Sequence, residues 1–215
     1  MKTIRLLCYK PAIDKHLIDN LIWMHTYVWN PQGWKFKRLA CSHSEIWVAD
    51  GEYEYRDMMG TTYLGSCYTS TMGGTGGANR TKYNGICKRP AYEILIHPER
   101  WYYYEMQVED NALESALLAA DLKVVNNKGY DIADIIKYFL PVRTQDPNDG
   151  RMICSGFSWW FIRVLCNHTI NTHAWLNKLC EHRTEQHLPS PFRLSLWCKD
   201  AGLIPVDLAT NKNLI

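Results

Sequence analysis

Apolar and polar positions along the chain change their period near the middle. Residues 3–8 form a short apolar run that suits a strand, and residues 13–23 place apolar side chains at 13, 17, 18, 21 and 22, the spacing of one helical face. Asn30-Pro31-Gln32-Gly33 reads as a turn. Residues 43–49 are rich in β-formers and are closed by Asp50-Gly51, which predicts a hairpin returning through Tyr53 and Tyr55. Residues 60–90 read as loop, with Gly73-Gly74-Thr75-Gly76-Gly77 at their centre. Two further strands are predicted at 92–96 and 101–108, separated by His97-Pro98-Glu99-Arg100.

The second half is helical in character. Asn111-Ala112-Leu113-Glu114 has the form of an N-cap with a reciprocating glutamate, and it predicts a helix to about Val125 that Asn126 to Gly129 stop. Asp131 opens another helix, which ends at Leu140 before Pro141. A polar loop over 143–151 leads to a buried helix over 154–166, and Ser190-Pro191 opens a last helix over 192–201. Strands first and helices after them predict an α+β fold, a small antiparallel sheet packed against helices in a single domain over 1–215, with 60–90 as a Gly-rich insertion or lid loop.

Composition narrows the partners. With 215 residues, 47% of them apolar, the chain can bury an ordinary core. A net charge of +2 and 21% charged residues make no field that would draw nucleic acid. Nine Trp and thirteen Tyr suit a core or an aromatic cleft. No apolar stretch approaches the ~20 residues that span a bilayer, and no secretory leader is recognisable, so a cytoplasmic setting is expected. Eight scattered cysteines without a C-x-x-C predict free thiols. The group Cys166, His168, His173, Cys180, His182 and His187 fits no familiar zinc spacing; neither a metal nor a cofactor is expected.

Two positions stand out chemically. Cys154 begins an apolar helix after a polar loop, where open amides and the helix dipole favour a thiolate, the attacking species of cysteine catalysis. His43 begins a strand whose alternation sets His43, Glu45 and Trp47 on one face. A catalytic imidazole needs a polar group to fix its tautomer; Glu45 qualifies, as do Glu52 or Glu54 on the expected return strand.

Several strings together resemble one family. Ser42-His43-Ser44-Glu45-Ile46 resembles the "SHVEL"-like strand of the circularly permuted papain-like, NlpC-type hydrolases, a group with YiiX-like proteins, many phage-encoded members and the lecithin:retinol acyltransferase relatives. Gly129-Tyr130-Asp131-Ile132 resembles the family's "G-x-Y-D" piece, Cys154-Ser155-Gly156-Phe157 its "CSE(F/W)" helix start, and Ser190-Pro191-Phe192-Arg193-Leu194 its closing "SP-x-x-L". The resemblance implies a permuted papain-like fold with Cys154 as nucleophile, His43 as general base and Glu45 as its orienting group. Tyr130, Trp47 and Ser155 join them as substrate-contacting residues. It implies a cysteine hydrolase or acyltransferase acting on an amide or ester: a peptide, a peptidoglycan stem peptide or an acyl lipid. Gly156 departs from the family's glutamate. With the 60–90 insertion, it keeps open the alternative of a catalytically degenerate protein that holds a partner in an aromatic cleft.

Overall fold

The computed structural model describes residues 1–10, 39–49, 53–58, 60, 62–71, 83–131, 151–170, 173–184 and 189–210. The elements expected over 13–23, 30–33, 50–52, 73–77 and 132–150 lie outside them. Among the described residues are eight strands: β1 (Lys2–Tyr9), β2 (His43–Val48), β3 (Glu54–Arg56), β4 (Thr62–Leu64), β5 (Ser66–Thr71), β6 (Gly85–Pro90), β7 (Trp101–Val108) and β8 (Pro205–Asp207). Five α-helices accompany them: α1 (Tyr92–Leu95), α2 (Asp110–Val125), α3 (Cys154–His168), α4 (Ala174–Cys180) and α5 (Pro191–Asp200). The expected α+β class is what forms.

Six strands make one antiparallel sheet in the order β6-β5-β2-β1-β7-β8. β1 lies inside it, with Leu6 opposite Ile46 on one side and Tyr104 on the other. Its run Leu6-Leu7-Cys8-Tyr9 is continuously apolar because both faces of the sheet are covered. Ile4, Leu6 and Cys8 face the larger core, where α2 to α5 contribute Ala112, Leu113, Ala116, Phe157, Phe161, Leu165, Leu176 and Leu194. Leu7 and Tyr9 face a smaller core with Trp47, Cys67, Trp101, Tyr103 and the α1 residues Ile94 and Leu95. Burying a side chain such as Phe157 or Phe161 stabilises the fold by about 1.5–3 kcal/mol. Helix α5 starts as expected, with the Ser190 hydroxyl accepting the Arg193 amide at 3.2 Å.

Four expectations are corrected. Much of 60–90 is sheet rather than loop, because β5 and β6 bury polar side chains whose composition disguises them as strands. Residues 92–95 are helix: Ile94 and Leu95 are adjacent yet enter the same core, whereas a strand would send them to opposite faces. β3 pairs with β4 and not with β2, both of whose edges are taken by β1 and β5. The N-cap of α2 is Glu109 rather than Asn111, and its carboxylate accepts the Ile170 amide at 3.0 Å. No helix among the described residues is long and apolar enough to cross a membrane.

Candidate active site

His43 is the first residue of β2, paired with Tyr9 at the end of β1, and the Ser42 amide donates to the Tyr9 carbonyl just before it at 3.1 Å. Two residues on, Glu45 projects from the same face, and its Oε1 lies 2.9 Å from His43 Nε2. Thr69 of β5 completes this side. Its hydroxyl donates to the Ser44 carbonyl at 2.9 Å and sits 3.3 Å from Nε2. Both neighbours of Nε2 therefore act as acceptors, so Nε2 carries the proton and Nδ1 is left for another partner. The Trp101 ring meets the imidazole edge-on at 6.3 Å and 69°.

Cys154, the first residue of α3, lies close enough for its sulfur and the His43 ring to favour charge on each other. The helix N-cap, Ile153, has no side chain that caps the first turn of α3. The backbone amides of Ser155, from its own helix, and of Ser44, from β2, also favour charge on the sulfur. Two hydroxyl contacts hold the helix start against the sheet: Ser44 Oγ to Ser158 Oγ at 3.0 Å, one turn beyond Cys154, and Ser70 Oγ donating to the Met152 carbonyl. A thiol and a ring 111 positions apart in sequence thus meet where a strand begins beside a helix start.

The electrostatics favour charge on both. Burial alone would push the Cys154 thiol up, but the His43 charge, the bond to its ring and the two amides hold it below its ordinary value. Burial alone would push His43 down; the Cys154 thiolate first and Glu45 second raise it to about 10. Burial would likewise raise Glu45, yet the Arg89 guanidinium and His43 hold it below the usual carboxylate range. Arg89, from β6, places Nη2 on Glu45 Oε1 and Nε 3.3 Å from Oε2. Glu45 is 0% and Arg89 1% exposed, so the pair is removed from water.

The chain matches no protein-family model, no curated protein and no solved structure.

The other expected site residues separate. Ser155 is buried at the helix start, its amide favours charge on the Cys154 sulfur, and among the described residues its hydroxyl has no hydrogen-bond partner. Tyr130 bridges Met152 in parallel fashion beside the approach to Cys154, its amide donating to Asn84 Oδ1 at 3.3 Å. Trp47 shares the His43 and Glu45 face but is sealed in the smaller core. Its indole donates to the Leu64 carbonyl at 2.9 Å, and the Arg5 guanidinium lies 4.6 Å from its ring. Glu54 is exposed on β3, in the separate two-stranded sheet, and Glu52 lies outside the described residues; the carboxylate on the imidazole is Glu45.

Cys166 and Cys180 form a disulfide, which corrects the expectation of free thiols there and removes the two thiolates that a zinc reading would use. The other six cysteines are free and buried. Arg89 and Thr69 escaped the sequence reading. A charged residue ahead of Pro90 and a threonine in a polar run carry no periodic signal, and only the pairing of β5 with β6, and of β5 with β2, brings them to Glu45 and His43.

Proposed function

We propose that this chain is a cysteine hydrolase or acyltransferase, with Cys154 as nucleophile, His43 as acid and base, and Glu45 as the group that orients the ring. The observation that carries the reading is the buried contact of thiol, imidazole and carboxylate, with each partner's charge favoured by the next. In the proposed reaction the thiolate attacks the carbonyl carbon of an amide or ester. The carbonyl oxygen takes the negative charge, and a backbone amide of the first α3 turn, which no side chain caps, is suited to receive it; such a donor is worth ~3 kcal/mol in acyl-transfer enzymes. The His43 imidazolium then gives its proton to the leaving amine or alkoxide, and a thioester remains on Cys154. Water or another acceptor, deprotonated by the neutral ring, attacks the thioester and restores the thiol.

The sequence resemblance supports a permuted papain-like architecture for this scaffold and acyl substrates such as peptides, peptidoglycan stem peptides or acyl lipids. The strand bearing histidine precedes the helix bearing cysteine, the order of the permuted form. Cys154 is 3% and His43 6% exposed among the described residues, so the reacting pair is shielded from bulk water.

The test is trapping. A small activated ester, p-nitrophenyl acetate, should release a burst of p-nitrophenol and leave an acetyl group on the Cys154 peptide, and His43→Ala should lose both. Acetylation confined to lysines, at a rate that His43→Ala leaves unchanged, would overturn the proposal. The same small exposure, with Gly156 in place of the family's glutamate, favours as second reading a binding protein with a sealed thiol; absence of any Cys154 adduct is its expected outcome.

A further inference from the structure

Arg89 is a fully buried cation on the sheet face turned away from α3 to α5. It lies on β6, opposite Cys67 of β5, while Thr69 of β5 stands opposite Cys87. Cross-strand neighbours share a face, so Arg89, Cys67, Cys87 and Thr69 surround Glu45 with side chains from two strands. The fork contacts both carboxylate oxygens: Nη2 on Oε1, and Nε 3.3 Å from Oε2. Oε1 is also the atom 2.9 Å from His43 Nε2. The arrangement reads sulfur, ring, carboxylate, guanidinium, with charges that alternate along it.

We propose that Arg89 is the positioning residue of this site: its two-point grip sets the place and the charge of the Glu45 carboxylate, and through the imidazole it sustains the thiolate of Cys154. The inference rests on the reading of Cys154 as nucleophile. Among the described contacts Arg89 reaches Glu45 and not the Cys154 sulfur, so it acts on Cys154 through Glu45. A buried carboxylate without a cation takes up a proton, and a neutral Glu45 no longer favours the imidazolium.

Among the described residues, the other groups facing the pair do not replace that cation. Cys67 and Cys87 are pushed up by burial, Cys87 to about 12, and are neutral thiols at pH 7. Glu93 of α1 has the wrong sign and accepts the Tyr83 hydroxyl at 3.2 Å, while the Tyr83 ring lies 5.9 Å from the Arg89 guanidinium. Thr69 is a neutral hydroxyl that donates to Ser44.

The experiment is the pH profile of iodoacetamide alkylation at Cys154, read peptide by peptide in the full chain, for wild type, Glu45→Gln, Arg89→Gln and Arg89→Lys. The wild-type inflection should lie below 9.0, the ordinary thiol value. Arg89→Gln should move it up, by roughly one pKa unit, to where Glu45→Gln puts it, which is a tenfold loss of rate at pH values below the wild-type inflection. Arg89→Lys keeps the charge without the planar fork, and its inflection should fall between wild type and Glu45→Gln. If Arg89→Gln folds and superimposes on wild type, the inference is overturned. If Arg89→Gln does not fold, Arg89→Lys decides, and superposition on wild type overturns it equally. A wild-type inflection at 9.0 or above sinks the nucleophile reading itself, whereas a depressed inflection that Glu45→Gln raises and neither Arg89 variant moves sinks the Arg89 role alone.

Discussion

Replacing His43 by alanine isolates the ion pair from the rest of the fold, because Glu45 keeps Arg89 as its buried counter-ion and no carboxylate is left uncompensated. The magnitude follows from the influences acting on Cys154. Burial is the largest and pushes the thiol up; the His43 charge and hydrogen bond are the next two and push it down, ahead of the Ser44 and Ser155 amides. With the ring gone, burial dominates and the thiol returns to 9.0 or above. A thiol of that pKa is about 1% ionised at pH 7, so alkylation should slow by roughly 10- to 100-fold, up to about 3 kcal/mol in thiolate stability. The assay is pseudo-first-order labelling with iodoacetamide, a small reagent suited to a buried thiol, quantified by mass spectrometry of each cysteine peptide. The other buried free thiols, such as Cys67 and Cys87, serve as controls in the same sample. An unchanged Cys154 rate in a folded His43→Ala protein would refute the ion-pair argument.

Two further outcomes are expected. Acyl-transfer activity should rise with pH as Cys154 ionises below 9.0 and fall again through about 10, because His43, raised above its ordinary 6.5, stays an imidazolium until then and is the acid for the leaving group; a descending limb near 6.5 would contradict the assignment. Non-reducing peptide mapping should recover the Cys166–Cys180 link, and Cys180→Ser should lower thermal stability by about 3 kcal/mol for a loop of this length, with separation 14, read as a fall in Tm; no change in Tm would count against a structural role.

The parts of this site that were legible in the sequence are those that local periodicity encodes. Strand alternation put His43 and Glu45 on one face, and the step from polar loop to apolar helix put Cys154 at a helix start; both hold. Their meeting is a matter of topology, and only the order of the strings suggested it. β5 and β6 were hidden for a physical reason. Thr69, Ser70 and Arg89 are buried because they bond to His43, Met152 and Glu45, so the polarity that reads as loop is the polarity the site uses. Trp47 shows the converse: an aromatic ring on the right face, withdrawn into the core by a carbonyl on β4 that alternation does not register. The Cys166–Cys180 disulfide depends on the packing of α4 against α3, which spacing alone leaves open.

The charged pair requires a histidine that keeps its proton far above neutrality, and an NMR pH titration of the His43 ring measures this directly, with the signal assigned by its loss in His43→Ala. The ring should hold its proton to about 10 in the wild-type protein and titrate at a lower pH in Cys154→Ser, where the facing thiolate is gone. A wild-type midpoint near 6.5, unmoved by Cys154→Ser, would contradict the claim that sulfur and imidazole form a charged pair.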